Sequence, residues 1–266
     1  VPGLIDALGD KKSIVRRRAV VALGKIGDVS AIPGLIHTLG DKNGNVRFRT
    51  VEALGSLKAE EAVLGLTGAL EDKDWKVQQA AFDALGEMGD VAVPGLIAAL
   101  DNRNSQVRWG AAEVLGEIGN AAAVSKLIEL LDDQEKMVRW MAITALGKIG
   151  DTAALPKLIK ALGDRDRVVR WRAAEALGEI GDATAVQRLI KALGDRDGGV
   201  RSTAADALQK VIVEADRSLV LAAKRKTWWL LPVESSVYDL FAQTVALLTF
   251  YQVDDLGDNL GELLER

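Results

Sequence analysis

The chain has 266 residues, nearly half of them apolar, and a formal net charge of −4. It can bury a core, but it offers no global basic field for nucleic acid. Cysteine is absent, which excludes disulfides, thiolate catalysis and Cys-ligated zinc and points to a reducing, cytoplasmic setting. No signal peptide is visible, and the most apolar stretch, 240–253, is broken by Gln243, Thr244 and Gln252 and too short for a bilayer.

In chain order the predicted elements follow one unit. Its anchor is Val, usually followed by Arg and then an Ala-Leu-Gly block: Val15, Val46, Val77, Val107, Val138, Val169 and Val200, spaced 31, 31, 30, 31, 31 and 31 residues apart. A second series stays in register: Leu4, Leu35, Leu66, Leu96, Leu127, Leu158 and Leu189. The one short step falls between the third and fourth units, at Gly89–Pro94. Self-similarity at this period marks a repeat array and outranks any short motif.

The chain starts within a first helix of the unit, helix A: Val1-Pro2-Gly3-Leu4 aligns with Ile32-Pro33-Gly34-Leu35, so the first repeat is expected to be truncated at its N-terminus. Pro2, Pro33, Pro94 and Pro156 sit near helix A starts, where a missing N–H costs little. The second helix, helix B, is shown by Val138–Ile149. Counting its Val as zero, apolar residues fall at 0, +4, +7, +8 and +11, within roughly a quarter of the helical wheel. Asn43, Asp74, Asn104, Glu135, Asp166 and Asp197 are placed to cap the B helices, and Gly-Asp pairs such as Gly150-Asp151 to stop them. Gly24, Gly55, Gly86, Gly116, Gly147 and Gly178 recur at +9. There glycine costs about 1 kcal/mol of helix stability, so its recurrence suggests close helix approach. Each pair carries an apolar stripe that only stacked neighbours bury, giving an all-α, quasi-one-dimensional solenoid. The period ends at Ala207-Leu208-Gln209. This divides the chain into a solenoid over 1–212 and a non-repeat helical cap over 213–266, with Trp228, Trp229, Leu240 and Phe241 among the residues able to cover the last apolar face.

Asp-x-x-x-x-Val-Arg-x-x-Ala-Ala-x-Ala-Leu-Gly-x-Ile-Gly-Asp followed by Leu-Ile-x-Ala-Leu, best seen at Val169–Asp182, resembles the HEAT-like repeats named after phycobilisome lyases. The resemblance covers residues 1 to about 212. It implies a right-handed α-solenoid of about seven two-helix repeats, with helix B lining a concave, partner-binding surface. It also implies an Asp–Arg ladder between units, here through Arg16, Arg47, Arg108, Arg139, Arg170 and Arg201; the third unit has Gln78 instead.

Opposite the core, helix B positions −1, +2, +3, +6 and +10 vary from unit to unit. At +2 stand Arg17, Phe48, Gln79, Trp109, Trp140, Trp171 and Ser202, with Trp75 near the same edge. Units stacked roughly 10 Å apart would line these rings into a stripe. The stripe either contacts a partner or packs into creases between B helices. Arg17, Arg18, Arg49, Glu52, Glu113, Arg172 and Glu175 surround it. Their mixed charge does not suit a nucleic-acid groove. His37 has no partner motif, and Asp41-Lys42-Asn43-Gly44-Asn45 with Glu52 mimics a calcium loop but has Val46 where glycine is needed. Lys224-Arg225-Lys226 beside Trp228-Trp229 belongs to the cap. No catalytic residue, metal or cofactor is expected. The first reading is a non-enzymatic scaffold binding a protein or peptide. The alternatives are a bilin lyase subunit holding an open-chain tetrapyrrole, and a designed repeat-protein binder.

Overall fold

A computed structural model describes the backbone of residues 1–224 and the side chains of residues 1–211. The cap expected over 213–266, including Trp228, Trp229 and the 224–226 basic run, lies almost wholly outside the described residues.

Fourteen α-helices in seven A/B pairs are found among the described residues, with no strand. Five pairs form one compact unit, Val1–Ala154. They are α1 (Pro2–Asp6) and α2 (Ser13–Ile26), α3 (Ile32–Thr38) and α4 (Gly44–Leu57), α5 (Glu60–Ala69) and α6 (Trp75–Met88), α7 (Val93–Ala99) and α8 (Ser105–Ile118), and α9 (Val124–Glu129) and α10 (Lys136–Ile149). A second unit begins at Leu155 with α11 (Leu155–Ala161) and α12 (Arg167–Ile180), then α13 (Val186–Ala192) and α14 (Gly198–Lys224). The chain is thus an all-α solenoid.

Local chemistry sets the helix ends. The side chains of Asn43, Asp74, Asn104 and Asp166 accept from backbone N–H groups of the first turn, and Asp197 accepts from Gly199 and Val200. Glu135 departs from expectation and makes no such bond: its longer side chain suits the cap less than Asp or Asn. Prolines stand in the first turn of α1, α3 and α7. Gly27, Gly119, Gly150 and Gly181 close their B helices in the left-handed region, while Lys58 adopts it without being glycine.

The two in-register series form the core. Leu35, Leu66, Leu96 and Leu127 of the A helices are fully buried in the first unit, as are Val46, Val77, Val138, Leu54, Leu85, Leu115 and Leu146 of the B helices. Leu158, Leu189, Leu177, Val200 and Leu208 repeat this in the second. Each such side chain contributes about 1.5–3 kcal/mol. The +9 glycines let consecutive B helices touch: a Cβ on Gly24, Gly55 or Gly116 would lie 2.9, 2.7 or 2.8 Å from the nearest atom of Ala53, Ala84 or Ala145. Gly178 meets Ala207 in the same way within the second unit. The final described helix does not stop after 14 residues as its predecessors do. It runs for 27, from Gly198 to Lys224, so the backbone passes through 212/213 without a break.

Candidate functional site

One side of every repeat is committed to structure. The Arg at +1 forms a fork with an Asp 25 residues later, on the loop of the next repeat: Arg16–Asp41 at 2.5 Å, Arg47–Asp72 at 2.6 Å, Arg108–Asp133 at 2.9 Å and Arg170–Asp195 at 2.8 Å. In each, Nε and Nη2 donate to the two carboxylate oxygens, and Nη1 donates to the carbonyl six residues upstream. The same Asp accepts the N–H two residues on, as Asp41 does from Asn43 and Asp72 from Asp74. Burial pushes the Asp41 and Asp72 carboxyls upward. The Arg hydrogen bonds, that backbone N–H and the guanidinium charge together outweigh it and hold both below the usual carboxylate range. At Asp195 the Arg170 hydrogen bond is itself the largest influence, and the carboxyl is again lowered. The Asp41–Glu52 calcium mimic is thereby used up: Asp41 serves Arg16, and Glu52 pairs with Arg49. Among the described residues no group of three or more His, Asp or Glu side chains could hold a metal. His37 is exposed on α3.

The opposite side of helix B carries the candidate site. In the first unit, α4 presents a small set. The Arg49 guanidinium lies 5.4 Å from the Phe48 ring centre, and Arg49 donates to Glu52 at 2.7 Å, one helical turn on. In the second unit, α12 repeats it: Arg172 lies 4.3 Å from the Trp171 ring and pairs with Glu175 at 2.6 Å. Ring, guanidinium and carboxylate at +2, +3 and +6 restrain the Arg by cation–π and i,i+3 contacts. On α8 the same places hold Trp109, Gly110 and Glu113. Without a neighbouring Arg, Glu113 is held above its ordinary value, chiefly by burial; Lys148 opposes this and Glu117 adds to it. On α2 both Arg17 and Arg18 are exposed.

Phe48, Trp109, Trp140 and Trp171 are all half-buried. The Trp109 indole nitrogen is enclosed without a hydrogen-bond partner. Trp75, at the start of α6, is 67% exposed, with Lys76 5.9 Å from its ring. The coupling of Phe48 to Arg49 and of Trp171 to Arg172 was missed in the sequence, although the +2/+3/+6 spacing carries the signal. Also unanticipated is a groove of about 750 Å³ on the A-helix side of the second unit, lined by Lys160, Arg188, Lys191 and Arg196 over Ile159 and Leu162. Lys160 and Lys191 occupy last turns of their helices, where the dipole favours cations.

Stacked helix pairs joined by an Arg–Asp ladder, with a variable outer face on helix B, define a HEAT-type α-solenoid. The sequence agrees: the model of HEAT repeats matches residues 32–102, 93–177 and 155–230, and that of the PBS lyase HEAT-like repeat matches 15–41. The chain belongs to the HEAT repeat family. No curated protein sequence matches it. Among solved structures it is similar to human deoxyhypusine hydroxylase in complex with glycerol (25% identity, 78% of this chain and 83% of that one, TM-score 0.41). A second is the CpcE–CpcF complex of phycocyanin lyase from Nostoc sp. PCC7120 (24%, 81% and 92%, TM-score 0.38). A third is a chain of the Kap95p–RanGDP structure, at 16% identity with a TM-score of 0.55, covering 98% of this chain and 44% of that one. Among the described residues no helix is long and apolar enough to cross a membrane.

Proposed function

We propose that this protein is a non-enzymatic scaffold or adaptor whose helix-B face takes a protein or peptide. One observation carries the reading. Core and ladder positions repeat almost unchanged, whereas the outer B positions change from repeat to repeat and hold half-open aromatic rings beside restrained charges. Such rings supply contact area at little entropic cost, and Trp and Arg are the commonest hot-spot residues. The flanking charges, Arg18, Arg49, Glu52, Glu113, Arg172 and Glu175, would set register and specificity.

The test is capture of partners from the source organism by the intact chain, followed by affinity measurements on variants. Trp75→Ala is the cleanest, because so exposed a ring contributes little to the fold. Trp140→Ala and Trp171→Ala extend the series. A true contact should weaken binding by about 2 kcal/mol or more with a nearly unchanged melting temperature. Unchanged affinity together with a large fall in melting temperature would assign the rings to packing. A bilin-holding role makes a different demand: the phycocyanobilin absorption spectrum must shift on mixing.

A further inference from the structure

The junction between the third and fourth repeats is built differently from the others of the first unit, in four respects. First, both charges of its ladder rung are gone. Gln78 stands where the other repeats have Arg, and Asn102 stands where its Asp would be. Gln78 keeps the upstream bond, donating to the Asp72 carbonyl, and Asn102 keeps the turn, accepting from the Asn104 N–H, but no fork joins them. Second, Gly86 meets nothing within 4 Å, whereas Gly24, Gly55 and Gly116 abut an alanine of the next B helix. Third, α6 ends differently. Gly89 has φ 58° and ψ −132°, against φ 74° and ψ 15–17° at Gly27 and Gly119. This is where one residue of the repeat is missing. Fourth, α6 packs less extensively on α8 than α2 does on α4 or α4 on α6.

Helix α5 and the residues that follow it stay closely packed at the same junction, against α7 and the start of α8. A Cβ on Gly95 of α7 would lie 2.5 Å from Val63 of α5, and one on Gly110 of α8 would lie 3.2 Å from Leu70. Gln106 donates to the Leu70 carbonyl at 3.3 Å, and Asn104 donates to Glu71. On the loops after α6 and α8, one exposed hydrogen bond, Asn120 to Asp90 at 2.7 Å, crosses the junction.

We propose that this junction is a hinge that pivots on the contacts of α5 with the fourth repeat, at Val63–Gly95 on α7 and Leu70–Gly110 near the start of α8, and opens between α6 and the rest of α8. An interface tight along one edge and open along the other bends in that direction most easily. The two neutral side chains remove the charged fork that elsewhere locks consecutive loops together. Motion about this line changes the separation of Phe48 and Trp75 on one side from Trp109 and Trp140 on the other. The inference concerns the fold alone and holds whatever the B face binds.

The absence of native cysteine makes the test direct. Spin labels are placed in the full chain at Glu87→Cys and Lys148→Cys, which span the third to fifth repeats. Labels at Lys25→Cys and Glu87→Cys span the first to third. All three positions are +10 of a B helix and exposed, so the pairs are matched. Distance distributions from pulsed electron resonance should be roughly twice as broad across the junction as in the control pair, as expected of a collective hinge motion. Gln78→Arg combined with Asn102→Asp, which rebuilds the fork, should narrow the first distribution towards the second. Equal widths in the unmodified junction overturn the hinge without recourse to any junction variant. A broad distribution that a folded double variant leaves unchanged overturns the role of the missing rung.

Discussion

At the scale of single residues, the ladder Arg illustrates how one side chain is made to do structural work. Arg47 satisfies three acceptors at once: both oxygens of Asp72 and the carbonyl of Asp41. Its side chain is 6% exposed and that of Asp72 11%. Removing one partner strands the other in a desolvated place, so Asp72→Asn should cost about 3 kcal/mol, read from the midpoint of urea unfolding. The lowered carboxyls of Asp41, Asp72 and Asp195 also predict a pH dependence. A carboxyl held lower in the folded than in the unfolded chain stabilises fully above its unfolded value, about 3.9. That contribution is lost as pH falls from there through the folded value. Thermal melts should therefore hold steady near neutrality and decline once pH drops below about 4, less steeply in Asp72→Asn. The fork was legible in the sequence as a recurrent Arg and a recurrent Asp; the 25-residue partnership became plain only once α2 lay beside the loop that precedes α4.

At the scale of elements, the recurrent +9 glycine has one physical reason at most junctions and none at another. Gly55 lies so close to Ala84 that a Cβ would sit 2.7 Å from the alanine side chain. Gly55→Ala should therefore force α4 and α6 apart and destabilise by about 1–3 kcal/mol. Gly86 sits in the same register but faces open space, so Gly86→Ala gains helix propensity without a clash. It should be neutral or stabilise by up to about 1 kcal/mol. Urea denaturation of the two variants side by side decides the matter; equal destabilisation would mean that α6 and α8 close up in solution. The glycine pattern by itself suggested close approach at every repeat, because a sequence shows the small residue but not the neighbour it admits.

At the scale of the whole molecule, stability in a repeat array is a sum of repeat and interface terms, each felt mainly by neighbours. The junction between α6 and α8 lacks a charged fork and a close helix contact. Local opening should therefore be cheapest there. Native-state hydrogen exchange should show lower opening free energies for the amides of α6 than for those of α2, α4 and α10, although Val77 and Leu85 are as buried as their counterparts. Uniform protection along the first unit would contradict this.

The sequence by itself determined the helix pairs, their order and their core. A 31-residue period of apolar positions at helical spacing has few other ways to bury its stripe, and Asn and Asp caps with glycine stops mark the helix ends locally. It also confined the variable surface to a few outer positions on each B helix. The tertiary structure alone decided how those positions are presented. Phe48, Trp109, Trp140 and Trp171 are half-covered and not free, Trp75 stands out, and Arg49 and Arg172 lie against the ring before them. It also decided that Gly86 has no neighbour. Both outcomes depend on distances between helices that are remote in the chain, and spacing along a sequence carries no information about them.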